Sequence, residues 1–214
     1  MLAIENRGQQ IAFASSDKKL LFLANQKCAS TSVSRVIGPD CNISPKKSGI
    51  ITHNSFEQAN RILSRLNNDP SVFTSFTCIR NPWPRVVSFY RHIHSEVSRN
   101  PFWARIAELQ LSFEKFLSLE EVQDELSQLA ANRFAYDESS DRWVSNVFLM
   151  EDMHETLPAF LADFGIVFDQ MPHARDRGGS RAYQEWYNDS SKGIVGKLFS
   201  ADIEIGGYIF DPHD

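Results

Sequence analysis

Residues 20–24, Leu-Leu-Phe-Leu-Ala, are apolar at every position, and the chain then passes through Asn25 and Gln26 into Lys27-Cys28-Ala29-Ser30-Thr31-Ser32. An unbroken apolar run of this length reads as a strand covered on both faces. Val33, Val36 and Ile37 then give a short helical stripe, and Gly38-Pro39-Asp40 stops it. A loop between a strand and a helix presents unpaired amides, and the helix N-terminus adds a positive partial charge. Lys27 adds a full charge, and Ser30, Thr31 and Ser32 add hydroxyl donors. Such a loop suits a phosphate or a similar oxyanion. A Ser-rich helix cap beside a solvated lysine has the same composition, so this segment alone leaves both readings open. It is not a Walker A loop, because the lysine comes first and no glycine is present.

A second apolar stretch, Ser71–Ile79, reads as another inner strand. It ends at Arg80 and turns directly into a helix, with Asn81 placed to cap it and Pro82 at its first position. Val86, Phe89, Tyr90, Ile93 and Val97 fall at helical spacing as a core-facing stripe. Ser88, Arg85 and Arg91 are expected on the polar side, where an anion near the helix start meets guanidinium, hydroxyl and dipole together. An arginine-rich surface helix with a capping turn would look the same.

Around these two loops, Ile11–Ser15 and Leu20–Asn25 suggest an opening hairpin. Ser55 heads a helix with Phe56, Ala59, Leu63 and Leu66 facing inward. Residues 102–132 read as helical with acidic faces, Val144–Glu151 as a third strand, and the following apolar periodicity to Ile166 as a helix. Two helices with aromatic anchors close the chain. Strands alternating with helices predict an α/β fold, a central and largely parallel sheet flanked by helices. At 214 residues the chain suits one core, so residues 1–214 are expected to form a single domain.

The net charge of −5 argues against a nucleic-acid-binding surface, leaving only a local basic pocket open. Three cysteines form neither a C-x-x-C pair nor a zinc spacing, so no metal is expected, and Cys78 reads as a small core residue. The sparse cysteines suit a reducing compartment. No basic leader and no membrane-length apolar run appears, which gives the expectation of a cytoplasmic protein without a membrane span.

The strand followed by "KCASTS", and about fifty residues later "RNPWPRVVSFYR", resembles the sulfotransferases that use 3′-phosphoadenosine 5′-phosphosulfate (PAPS). The closer likeness is to the carbohydrate and small-molecule branch with Golgi and bacterial members, and it runs from about residue 18 to 212. The resemblance implies a P-loop-NTPase-like sulfotransferase fold. It also implies that Lys27, Cys28, Ala29, Ser30, Thr31 and Ser32 bind the 5′-phosphosulfate, while Arg80 and Ser88 hold the 3′-phosphate. Family members often carry glycine where this chain has Cys28 or Ala29, which leaves its backbone less freedom to wrap a phosphate.

The implied partners are PAPS, its product 3′-phosphoadenosine 5′-phosphate (PAP), and a hydroxylated acceptor, a sugar, glycolipid or small molecule. Lys27 is then the catalytic cation that meets charge on the leaving phosphate. A base must take the acceptor's proton, and His53, between the two loops and just before a helix, is the first choice, with a helix-entry histidine that bonds backbone as the other and more common reading of such a residue. His92 and His94 are the runners-up, with Glu57 and Glu151 as carboxylate alternatives. Trp83, Phe102, Trp103 and Tyr136 are aromatic candidates for an acceptor pocket, though aromatic residues are more often core. Arg175, Arg177 and Arg181, with Gly178 and Gly179, form a candidate loop over the nucleotide. Two other readings compete: a nucleotide kinase, which wants the missing Walker A loop, and a module that binds the bisphosphate without catalysis.

Overall fold

The computed structural model describes residues 13–43, 53–95, 100–172 and 182–210. They fall into two compact units, the first drawn from Met1–Cys78, Ala135–Phe148 and Asp152–Ala174, the second from Ile79–Phe134, Leu149–Glu151 and Arg175–Asp214. The stretch from Pro172 onward that holds Arg175, Gly178, Gly179 and Arg181 lies outside the described residues beyond Pro172, as does Val97.

The first unit is built on a four-stranded sheet in the order β1-β2-β3-β6: Phe13–Ser15, Leu20–Leu23, Thr74–Ile79 and Asn146–Leu149. β1 pairs antiparallel with β2, which forms the expected hairpin, and β2 pairs parallel with β3 from Leu20–Thr74 to Leu23–Thr77. The result is a mixed sheet of mostly parallel strands flanked by helices, an α/β fold. The helices of this unit are α1 (Ser30–Ile37), α2 (Phe56–Arg65) and α8 (Met153–Ala162). Every residue of β2 is buried, as its unbroken apolar run requires. The core between sheet and helices is a ladder of rings, with Phe22 4.9 Å from Phe76 and Phe76 5.2 Å from Phe160.

Local sequence explains the borders. α2 starts at a reciprocal capping box, the Gln58 amide donating to Ser55 Oγ at 3.3 Å and the Ser55 amide to Gln58 Oε1 at 3.1 Å. Phe56, Ala59 and Leu63 are buried, but Leu66 lies past the last turn and is 45% exposed, contrary to the inward place expected of it. β3 begins at Thr74 rather than Ser71, because the Asp69 side chain accepts from the Ser71 amide and winds Pro70–Val72 into a 3₁₀ turn. A short hairpin absent from the sequence reading, β4 (Tyr136–Asp137) with β5 (Arg142–Trp143), also belongs to this unit.

The second unit is helical. α3 (Pro82–Ser95) begins where the sequence places it, with Asn81 Oδ1 accepting from the Trp83 amide at 3.2 Å. Residues 101–134 form four short helices, α4 (Pro101–Glu108), α5 (Phe113–Ser118), α6 (Glu120–Ser127) and α7 (Ala131–Phe134), and α9 (Asp189–Leu198) and α10 (Ser200–Gly206) complete the unit. Val86, Phe89 and Ile93 of α3 enter one apolar cluster with Trp103, Phe116, Leu126 and Phe199, and Tyr90 packs at its margin. Trp83 and Trp103 thus take the core places that the sequence also allowed them.

Candidate active site

The chain leaves β2 at Leu23 and reaches α1 at Ser30 through a loop that opens with four successive engaged carbonyl oxygens. Leu23 accepts from Thr77 Oγ1 at 2.8 Å, Ala24 from the His53 ring, Asn25 from the Ser30 hydroxyl, and Gln26 from the Cys28 thiol at 3.4 Å. Negative ends of the peptide dipoles are therefore taken up one after another by side chains.

The loop then makes two left-handed steps, Lys27 at φ 61° and Ala29 at φ 57°. A non-glycine residue in this region is held there against its Cβ at a cost of roughly 1–2 kcal/mol. The wrap expected to want glycine is thus made by lysine and alanine. Ala29 is also the N-cap of α1, and no side chain caps the helix. The first backbone bonds to Ala29 O come from Ser32 at 2.9 Å and Val33 at 3.1 Å, so the amides of Ser30 and Thr31 precede the helical ladder.

Each predicted loop residue has a definite place. Cys28 is fully buried and offers a ligand its backbone only. Ser30 and Ser32 are buried, Ser30 with its hydroxyl turned back onto Asn25, while Lys27 and Thr31 are half-buried. His53 stands beside this loop. Its partner is a carbonyl, which only accepts, so Nδ1 carries the hydrogen and Nε2 is the nitrogen able to take a proton. Cys78 is buried on β3, and burial foremost, then Cys28, pushes its thiol up, as a core thiol requires.

Arg80 and Ser88 belong to the second unit, half-buried at the start and the second turn of α3. Arg85 departs from its expected place. It is 1% exposed and binds Asp202 at 3.1 Å and the Leu129 carbonyl at 3.0 Å, so it faces the core rather than the polar side. The helical spacing of Arg85 from Ser88 could not show this. Arg91 is exposed, as a polar-face residue should be.

The alternative bases are differently employed. His92 and His94 lie in the last turn of α3, the opposite end from Arg80. The His94 ring packs 4.5 Å from Tyr90, and burial pushes its pKa down. Glu57 pairs with Arg61 one turn along α2. Glu151 accepts from the Asn81 amide and from the Tyr208 hydroxyl, both at 2.9 Å, a role without a local signal because its partners lie 70 and 57 residues away. Tyr136 donates to Asp141 at 2.6 Å on the β4–β5 hairpin.

No helix among the described residues is long and apolar enough to cross a membrane. No curated protein matches the chain. The model of the sulfotransferase family matches residues 10–190, most of the sequence and parts of both units, and the chain belongs to that family.

Proposed function

We propose that this member of the sulfotransferase family moves a sulfuryl group from PAPS to a hydroxyl or amine of a carbohydrate, glycolipid or small-molecule acceptor. The observation that carries the reading is the loop from Leu23 to Ser30, with four successive carbonyls taken up by side chains and two left-handed steps leading into an uncapped helix. That backbone is suited to a polyanion on the amide side. The family match across segments of both units supports reading residues 1–214 as one sulfotransferase domain.

In this reading the loop Lys27–Ser32 receives the 5′-phosphosulfate, and Arg80 with Ser88 receives the 3′-phosphate. The acceptor oxygen forms a bond to sulfur while the bond from sulfur to the bridging phosphate oxygen breaks. PAP leaves with the electron pair of that bond. Lys27 and the first-turn amides of α1 meet the charge that grows on the leaving phosphate, a contribution worth ~10²–10³ in turnover per donor. His53 takes the acceptor's proton at Nε2, its ring fixed by the bond from Nδ1 to Ala24. The sparse cysteines support a cytoplasmic setting.

The test is calorimetric binding of PAP to the wild type and to Arg80→Ala, followed by turnover of PAPS with a panel of hydroxylated acceptors. Binding should be clear in the wild type and weaker by about 1.5–3 kcal/mol in Arg80→Ala, the range for a hydrogen bond to a charged group. A fall in turnover of about 10²–10³ in Lys27→Ala completes the assignment. Binding of PAP without turnover by any acceptor would leave a binding module instead, and no binding by folded protein would overturn the reading altogether.

A further inference from the structure

The turn that carries Arg80 is held from the far end of the chain. Glu151, two residues past β6, accepts from the Asn81 amide at 2.9 Å with one carboxylate oxygen and from the Tyr208 hydroxyl at 2.9 Å with the other. Asn81 also donates through Nδ2 to the carbonyl of Ile209 at 3.2 Å, and Phe210 packs edge-on against Trp83 at 5.4 Å. The two other segments of the second unit therefore close on the residue that directly follows Arg80.

The end of α10 is shaped for this contact. Gly207 is left-handed at φ 61°, and the Tyr208 amide returns to the Ile203 carbonyl at 3.1 Å. The Tyr208 ring folds back over Gly206, where a Cβ would stand 2.3 Å from the ring. Any larger residue at 206 must push the phenol away, and with it the hydroxyl that reaches Glu151. Tyr208 lies beyond residue 190, where the family match ends.

We infer that Glu151 and Tyr208 are positioning residues, which fix the Arg80–Asn81 turn and so the guanidinium that holds the 3′-phosphate. The inference rests on the proposed role of Arg80. A carboxylate suits the task because both its oxygens accept, one from the turn's backbone and one from the phenol, so it locks the amide direction without competing for the anion's donors. Glu151 acts here on donor affinity, whereas a catalytic base would act on turnover alone.

The test is a double-mutant cycle on PAP binding by calorimetry. Glu151→Ala, Glu151→Gln, Tyr208→Phe and Gly206→Ala are each made in the wild-type and in the Arg80→Ala background, with circular dichroism and thermal melting as the check of folding. In the wild-type background, Glu151→Ala is expected to weaken PAP about 10-fold, as coupled neighbours do, and Tyr208→Phe and Gly206→Ala about 3-fold. Glu151→Gln should recover most of the loss, because an amide oxygen still accepts from Asn81. In the Arg80→Ala background none of the four should change affinity further. Equal losses in both backgrounds would overturn the inference, since the effect would not run through Arg80. Unchanged PAP affinity in Glu151→Ala, with or without a fall in turnover, would overturn it too. Either result leaves the sulfotransferase reading standing, whereas a wild type that binds no PAP overturns both.

Discussion

Arg85 and Asp202 stand 117 residues apart in the chain, and their side chains meet at 3.1 Å in the core of the helical unit. Asp202 is fully buried and also accepts from the Ala131 amide at 2.7 Å, while Arg85 donates to the Leu129 carbonyl at 3.0 Å and lies 5.3 Å from the Phe199 ring. The pair joins α3, the α6–α7 connection and α10 through four polar groups that answer one another.

Removing one member leaves the other charge buried without its partner. Asp202→Ala or Arg85→Ala should therefore each cost about 3–5 kcal/mol, while the double change to Arg85→Met with Asp202→Leu should recover much of that loss. Urea unfolding of the four proteins measures it. Single and double variants of equal stability would show that the pair contributes by packing alone.

Ala29 offers a test of the opposite sign. Glycine in a helical position usually costs about 1 kcal/mol relative to alanine. At φ 57° the Cβ is what strains the backbone, by roughly 1–2 kcal/mol, so Ala29→Gly should be neutral or stabilising by up to about 1 kcal/mol. Ala29→Val should be clearly destabilising. A loss on Ala29→Gly as large as at an ordinary helical site would mean that the left-handed step is not strained.

Acid stability should carry the signature of Asp137. Its burial raises the carboxyl, but bonds from Ser139, Asn60 and Ser140 together outweigh this and hold it at about 2, below the ordinary 3.8. A carboxyl depressed in the folded state contributes stability that is complete above the unfolded value and is lost as pH falls toward the folded one. The melting temperature of the wild type should thus drop more steeply between pH 4 and 2 than that of Asp137→Asn. Parallel curves for the two proteins would rule out this role for the carboxylate.

His53 has two jobs that substitutions can separate. His53→Asn keeps a donor for the Ala24 carbonyl but loses the ring nitrogen able to take a proton, and His53→Ala loses both. Each should lower kcat by about 10²–10⁴ with PAP affinity kept in His53→Asn. Full turnover in His53→Asn would move the base elsewhere.

What could be read from the sequence followed how local the physics was. The strand and hydroxyl loop at 20–32 and the Asn81-Pro82 start of α3 rest on neighbours a few residues apart, and they stand where they were expected. Arg85 was misplaced because its partner comes 117 residues later, and no helical period reports on that. The β4–β5 hairpin, two residues a side, is too short for any alternation to register. The stretch at 102–132 was helical as read, but Ser112 and Leu119 divide it, Ser112 by accepting from the Lys115 amide and opening a new helix. His53 bonds the Ala24 carbonyl 29 residues before it, and the clasp of Glu151 on Asn81 joins segments 70 residues apart, so neither contact has a local signal.

The cap of α1 is an alanine, with no side chain to offer its first amides. An anion that settles there completes the helix from outside, and in the proposed reading the nucleotide's 5′-phosphate is that missing piece of the fold. Occupancy and folding are then one linked equilibrium: PAP at about 100 times its Kd should add roughly 2.7 kcal/mol to the stability of the whole chain. In the proposed reading its resistance to heat and to proteases should rise and fall with the adenosine bisphosphate around it.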